Sequence, residues 1–572
     1  MAPINKESPI NNDAFQYVVG IDFGTTYSGA GYMFIKNAER KEVIDIKNWP
    51  KNRGSPNFKI PTVIRYHKKD RSIYKCGLEA TSISKKEIDE YDSCIRLFKL
   101  HLSKKARADL TELPRGLDIV TVISDYLKYL HKHICSDIQK ALGSSSANFE
   151  KKIESFRYCL TVPAIWTDDA KSKMREACIL AGIIDRSDHV DRLLMVGEPE
   201  AAALYSEQMK GGISIKSGER LMIVDAGGGT IDLITFEKTI NGETKSFKEI
   251  VDGDGNSSGS SQLDKRFREF VNRNTFSFSL DTTSLDQLVE TFRTSTKIEI
   301  DHETPDDPVY INLPNSLRGR TIEKDNGFKM DIETLSIPTN LLLTEVFDPV
   351  IEEIIHLIEF QLGALGDKLL HYIILVGGFG QNTYLLQRIK DAYDNEEKVG
   401  DIIVPDVREL AVARGAVYFG LNPYSISHRR MRVSYGISIS SPFIDDIDNP
   451  EYKIFDSHGD AYCKNRFDRL VSKGEDVSIK DCISREYKTQ NSETFSIKLY
   501  SYSGDVTPRY VSVSDEDAEG TANIVADFVV PLPLSHGQDT SFKMDMYFGH
   551  MEIKIKITLD GSEDKRTFTA SY

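Results

Sequence analysis

One stretch, 221–237, LMIVDAGGGTIDLITFE, does most to restrict what this chain can fold into. An apolar run, 221–224, delivers an aspartate, Asp225. Ala226 and the glycines Gly227, Gly228 and Gly229 follow, then Thr230, and a second apolar run, 231–236, leads away. Such β-branched, apolar runs read as buried strands, and the short glycine turn joins them as a tight hairpin. Glycines there let backbone N–H groups come close to a ligand and form a concavity that holds an anion. The Asp225 carboxylate at the strand end suits a hydrated metal, and Thr230 adds a hydroxyl donor. Together these are the parts of a site for a phosphate and its Mg²⁺.

The same device occurs earlier, at 18–31, VVGIDFGTTYSGAG. An apolar run again ends in an aspartate, Asp22; Gly24, Thr25 and Thr26 make the turn, and a second run leads away. Two such hairpins, about two hundred residues apart, point to a duplicated architecture with phosphates in a cleft between two like lobes. The pattern GxxxxGK[ST] does not occur, which excludes a P-loop.

The rest of the chain fits a soluble, multidomain protein. Its 572 residues correspond to about three to four domains. A net charge of −15 argues against a nucleic-acid-binding surface. Seven cysteines with no CxxC pair and no grouping with histidine read as free thiols of a reducing compartment, which implies the cytoplasm. Residues 1–14 are polar, carry Pro3 and Pro9, and are expected to be a disordered tail rather than a signal peptide. No apolar run approaches the ~18 residues of a membrane span. The best candidate, 341–362, is broken by Glu345, Asp348, Glu352, Glu353 and Glu359 and reads as an amphipathic helix.

Along the chain, 117–142 has helical period, with Ile123, Leu127, Leu130 and Ile134 on one face. A strand at 156–162 closes at Pro163. Thr167 caps the next helix, with Asp168 and Asp169 suited to its positive end. After a strand at 193–196, Glu198 and Pro199 open an alanine-rich helix. A Gly/Ser loop, 253–261, precedes a helix at 262–272, and a strand at 372–376 ends in Gly377 and Gly378 before a helix at 383–392. Alternation of strand and helix gives an α/β class for 15–420. Beyond Gly420 helical periodicity disappears, and 433–439, 495–500, 524–530, 542–548 and 552–559 read as strands. The expected plan is a nucleotide-binding domain, 15–420, a linker, 421–432, and a smaller β-rich domain, 433–572.

These motifs resemble the 70-kDa heat-shock chaperones, whose nucleotide domain belongs to the actin-like ATPase superfamily. DFGTTYS at 22–28 looks like the first phosphate loop and DAGGGTID at 225–232 like the second. VPA at 162–164, Glu198-Pro199 and 201–203 look like the connecting segments, ILVGG at 374–378 like the adenosine loop, and AVARGA at 411–416 like the last helix. Variant features are similar to the divergent, lid-less branch of the twelve-A/twelve-B type. Phe379 stands where ordinary members have serine, Gln381 where they carry an arginine, FKL at 98–100 replaces the usual lysine segment, and RLVSKGEDV at 469–477 is also shared in character. The segments 523–534 and 544–559 resemble the last strands of a peptide-binding β-domain. The sequence stops at Tyr572, about where a helical lid would begin, and shows no acidic EEVD-like tail.

The resemblance implies an ATPase with ATP or ADP and Mg²⁺ as cofactors. Gly24, Thr25, Thr26, Tyr27, Gly227, Gly228, Gly229 and Thr230 would bind phosphate, and Gly259 would let its loop pass close by. Asp22 and Asp225 would hold the metal through its waters, because Mg²⁺ keeps several of them. Lys99, Glu198, Asp225 and Thr230 would carry catalysis. Gly377, Gly378, Gln381 and Lys297 would border the adenosine. Three functions compete: a slow chaperone-like ATPase with unfolded or specific client proteins, an ATP-binding interaction module that scarcely hydrolyses, and a small-molecule kinase. The segment LNPYSISHRRMR at 421–432 offers little contiguous apolar surface, so it is expected to dock weakly on the nucleotide domain.

Overall fold

The computed structural model describes residues 14–35, 42–50, 58–81, 90–92, 94–103, 110–208, 214–242, 244–276, 280–300, 303–304, 307–405, 408–456, 458–489, 494–511, 522–531 and 540–559. The expected tail, except Ala14, lies outside them. Two sheets of mixed direction dominate 17–430. In the first, Tyr17–Asp22 pairs antiparallel with Tyr27–Phe34 and parallel with Phe156–Val162, which pairs parallel with Leu193–Gly197. In the second, Arg220–Ala226 pairs antiparallel with Ile231–Asn241 and parallel with Leu370–Val376, which pairs parallel with Val399–Ile403. The local order is the same in both: a hairpin, then parallel strands beyond its first strand. The mixed α/β class read from the sequence is therefore present.

The strands that deliver Asp22 and Asp225 are buried on both faces, which explains their continuous apolar runs. One apolar cluster joins the sheets. It takes Cys159 and Val196 from the first, Leu221, Ile223, Phe236 and Ile374 from the second, and the alanines of Glu198–Gln208 and Ala411–Leu421 between them. Small residues let these two helices nearly touch. A Cβ on Gly415 would lie 1.8 Å from the Ala201 carbonyl oxygen, so no side chain fits there. On its far face the first sheet packs on Ile119–Ala141, whose Ile123, Leu127, Leu130 and Ile134 are buried as the helical period requires, and on Asp168–Leu180. Thr167 caps the latter, accepting from the Ala170 amide at 3.4 Å. The second sheet's far face packs on Ser261–Asn274 and Asp348–Leu365 and on a small four-stranded sheet within 308–338 that the sequence reading did not anticipate. Among the described residues no helix is long and apolar enough to cross a membrane.

Beyond 433 the described residues form a five-stranded and a three-stranded antiparallel sheet that share one apolar core, including Ile437, Leu470, Leu499, Met544, Met546 and Ile555. The segment 421–432, expected as a weakly held linker, is built into the second sheet. Its strand Ile426–Arg430 pairs parallel with Thr244–Glu249 and antiparallel with Asp476–Ser478. The expectation counted contiguous apolar area, whereas the segment is held by strand pairing, by the separately buried Ile426 and Met431, and by charge. Arg429 makes a buried, two-point ion pair with Glu200, both contacts at 2.8 Å, and donates to the Gly549 carbonyl. Arg430 pairs with Asp252 at 2.7 Å and Arg432 with Glu249 at 3.2 Å. The last strands seat nearby: Arg175 pairs with Glu552 at 2.7 Å, Lys554 with Asp191 at 3.2 Å, and the Tyr435 hydroxyl donates to Asp168 at 2.6 Å.

Removing one partner of a buried pair strands the other charge, at a cost of about 3–5 kcal/mol. Arg429→Met is therefore expected to lower the urea-unfolding free energy by about that amount, and the double variant with Glu200→Gln should recover most of the loss. Equal losses in the single and double variants would contradict the pairing. The pH dependence has a defined sign. Burial raises the Glu200 carboxyl, but the Arg429 guanidinium outweighs it and holds the group below its ordinary range. Its contribution is full above about pH 4.3 and is lost as pH falls through the lowered folded value.

Candidate functional site

The site forms where the two hairpin turns meet. Tyr17–Asp22 ends with the Asp22 carboxylate at the mouth of residues 23–26. Asp22 Oδ1 accepts from the Thr161 hydroxyl at 3.2 Å and Oδ2 from Lys59 Nζ at 2.7 Å. The turn is braced by Thr62, whose hydroxyl donates to the Gly24 carbonyl at 2.8 Å and whose amide donates to the Thr26 carbonyl at 2.8 Å. In the second hairpin Asp225 stands opposite Asp232, and the Gly227 amide closes the turn onto the Thr230 carbonyl at 3.0 Å. The carbonyls of Gly227, Gly228 and Gly229 accept from the amides of Ser260, Ser261 and Gly259 at 3.0, 2.8 and 3.3 Å. Because a trans peptide points its N–H opposite to its C=O, the amides of Gly228, Gly229 and Thr230 face away from that loop. Gly259 stacks so closely that a Cβ there would lie 2.7 Å from the Gly229 carbonyl carbon.

The two turns confront each other directly. A Cβ on Gly228 would lie 2.0 Å from the Thr26 hydroxyl oxygen, and one on Gly229 would lie 2.4 Å from the Thr25 methyl. Gly377, at φ +86°, packs under this junction, since its Cβ would lie 2.4 Å from Asp225 Oδ1. Gly378 faces open space, with nothing within 4 Å of a Cβ.

Charge is concentrated here. Lys99 is buried, donates to Glu198 Oε1 and to the Phe23 carbonyl, both at 2.6 Å, and lies over the rings of Trp166 and Phe23. Burial raises the Glu198 carboxyl, opposed by Lys99. Burial, then the charges of Glu198, Asp232 and Asp22, raises Asp225 well above the carboxylate range. Burial and Glu198 push Asp232 up to about 7. Asp232 Oδ1 accepts from the Ile165 amide at 3.4 Å, while Oδ2 is buried with no hydrogen-bond partner. Among the described residues no three His, Cys, Asp or Glu side chains group closely enough to hold a metal ion by themselves.

The adenosine-side residues lie at the other end. Lys297 pairs with Asp264 at 2.8 Å and donates to the Ser260 carbonyl at 3.3 Å. Gln381 donates to Glu409 at 3.1 Å, and Asn382 donates to the Lys297 carbonyl at 3.2 Å, so 377–382 and Lys297 are neighbours. Tyr27 is 47% exposed at the cleft, where Arg96 and Glu290 approach to 3.8 Å from opposite sides. Sequence reasoning missed Lys59, Asp232 and Arg293, the last paired with Asp264 at 2.8 Å. Asp232 had a signal, being the final residue of the DAGGGTID motif. Lys59 had none, because its place is set by pairing of Lys59–Pro61 with Tyr27–Phe34.

Comparison with known proteins finds similarity over most of the chain. The chain is 24% identical to mouse (Mus musculus) heat shock 70 kDa protein 12A over 88% of its length and 84% of that protein's. It is a divergent relative of the 70-kDa heat-shock proteins. Human (Homo sapiens) heat shock 70 kDa protein 12B is 23% identical over 95% of this chain and 89% of its own. Chaperone protein DnaK of Deinococcus proteolyticus is 25% identical over 70% of this chain. Residues 214–400 match a domain of unknown function (DUF8340).

The opposed turns set one expectation. Gly228→Val would fill the space expected for phosphate and, because a side chain there meets Thr26, would also force the turns apart. Its affinity for ATP is expected to fall at least about tenfold, or 1.4 kcal/mol, with the far-ultraviolet circular dichroism unchanged. Unaltered calorimetric affinity would contradict the assignment of the turns.

Proposed function

We propose that this protein binds ATP with Mg²⁺ between the two glycine turns and hydrolyses it slowly, as a chaperone-like ATPase. The observation that carries the proposal is the face-to-face meeting of two carboxylate-ended hairpins at Thr25, Thr26, Gly228 and Gly229. In this reading 15–420 is a two-lobed, actin-like nucleotide domain. Residues 433–572 are a β-domain for client proteins. Seven cysteines, none of them disulfide-bonded, support a cytoplasmic setting.

The residues fit a nucleotide and its metal. The outward amides of Gly228, Gly229 and Thr230, with the hydroxyls of Thr25 and Thr26, offer donors to phosphate oxygens. Gly24, Tyr27, Gly227 and Gly259 shape the cradle. Asp22 and Asp225 would hold Mg²⁺ through water, because Mg²⁺ keeps several of its own waters. When bound, Mg²⁺ would neutralise charge on the nucleotide phosphates. The unpartnered Oδ2 of Asp232 and the Glu198 carboxylate are available to orient an attacking water, and Lys99 holds Glu198 in place. Lys99 is thus tied into the site rather than free at the surface. Gly378 leaves room beside the adenosine, with Gly377, Gln381 and Lys297 around it.

The test is single-turnover hydrolysis of ATP by the purified chain. Lys99→Ala is expected to slow the chemical step by about 10²-fold while leaving ATP affinity within about threefold. A loss of affinity equal to the loss of rate would make Lys99 a ground-state contact. Absence of hydrolysis by the wild-type chain, with ATP bound, would favour the interaction module, a reading supported by the tight Lys99–Glu198 pair.

A further inference from the structure

The nucleotide reading leaves Lys59 unexplained. Its strand, Lys59–Pro61, pairs with the outgoing strand of the first hairpin, Gly29 opposite Lys59. The lysine stem runs over Gly29, where a Cβ would lie 3.1 Å from its Cγ. That route returns the ammonium to the strand-end carboxylate of the same hairpin, at 2.7 Å from Asp22 Oδ2. The side chain is 20% exposed, and the carboxylates acting on it are those of Asp22, Asp225 and Glu409. Burial would lower this ammonium, but Asp22 outweighs it and leaves it raised.

A positive charge is thus held against Asp22, within the field of Asp225, the other aspartate assigned to the hydrated metal. An ammonium is a compact point charge with three donors and no preferred plane, suited to phosphate as well as to carboxylate. Lys99 answers Glu198, and Lys59 answers Asp22 whether or not Mg²⁺ is bound. Lys59 supplies a cation that stays.

We infer that Lys59 is a resident phosphate-binding cation that shares the neutralisation of a bound nucleoside triphosphate with Mg²⁺, so that ATP binding survives removal of the metal. The inference rests on the ATP reading of the site. Its ligand class is a polyphosphate nucleotide without bound metal, and its consequence is weak metal dependence of affinity rather than of rate.

The test is calorimetric titration of ATP into the full chain with Mg²⁺ and with EDTA, for wild type and Lys59→Met. The quantity read is the ratio of the two affinities, which a merely structural lysine would not move. The wild-type ratio is expected to be below about tenfold and the variant ratio at least about tenfold larger than that of wild type. Equal ratios in the two proteins would overturn the inference. If Lys59→Met fails to fold by circular dichroism, the wild-type ratio decides: below tenfold supports the inference and above tenfold overturns it. Absence of ATP binding by wild type in Mg²⁺ would instead overturn the underlying reading.

Discussion

Four buried carboxylates, Asp22, Glu198, Asp225 and Asp232, gathered around two abutting glycine turns set the terms for the rest of the structure. Buried charge is costly unless it is paired. Lys59 and Lys99 answer Asp22 and Glu198 directly, whereas Asp225 is raised by burial and by its neighbours and Asp232 has an oxygen with no partner. A cation would relieve the crowding that raises Asp225 and Asp232, and the outward amides of the second turn suit an anion. A metal-bound phosphate satisfies both. Such a site costs stability, so the surrounding elements must hold it rigidly. They do so through strands buried on both faces and through helices packed at alanine and glycine.

The helix Glu198–Gln208 links this junction to the C-terminal sheets. Its first residue, Glu198, takes Lys99, and Glu200, two residues on, takes Arg429 from the strand Ile426–Arg430. Glu200 also accepts from the Gly197 amide at 3.0 Å, which fixes the start of the helix. Any displacement of Arg429 therefore bears on the same helical turn that carries Glu198. The attachment combines ion pairs and strand pairing with two separate buried aliphatics, Ile426 and Met431, so it lacks the contiguous apolar stripe by which docked segments are usually recognised. Arg430 and Arg432 repeat the device at Asp252 and Glu249.

What was legible in the sequence follows from how local each signal is. Each hairpin, its aspartate and its glycine turn is encoded within one short stretch, 18–31 or 221–237, and the structure brings the expected turn residues together. The cap at Thr167 and the buried face of Ile119–Ala141 are equally local. Lys59 was not legible, because its role comes from strand pairing and not from its neighbours in sequence. Arg429 read as part of a basic stretch because its partner, Glu200, lies 229 residues away. The small sheet within 308–338 was missed since its strands are short and mostly half exposed. Lys297 and Gln381 lie near the 377–378 turn, but each is engaged by a carboxylate, Asp264 or Glu409, which spacing alone could not reveal.

The central claim is that a nucleotide phosphate sits between the two turns. Amide hydrogen exchange measured with and without Mg²⁺ and ATP tests it most directly, because the claim concerns backbone N–H groups. The account predicts slower exchange at 24–27, at 228–230 and at 377–378 on addition of ATP. ATP binding that leaves exchange at both turns unchanged would contradict it.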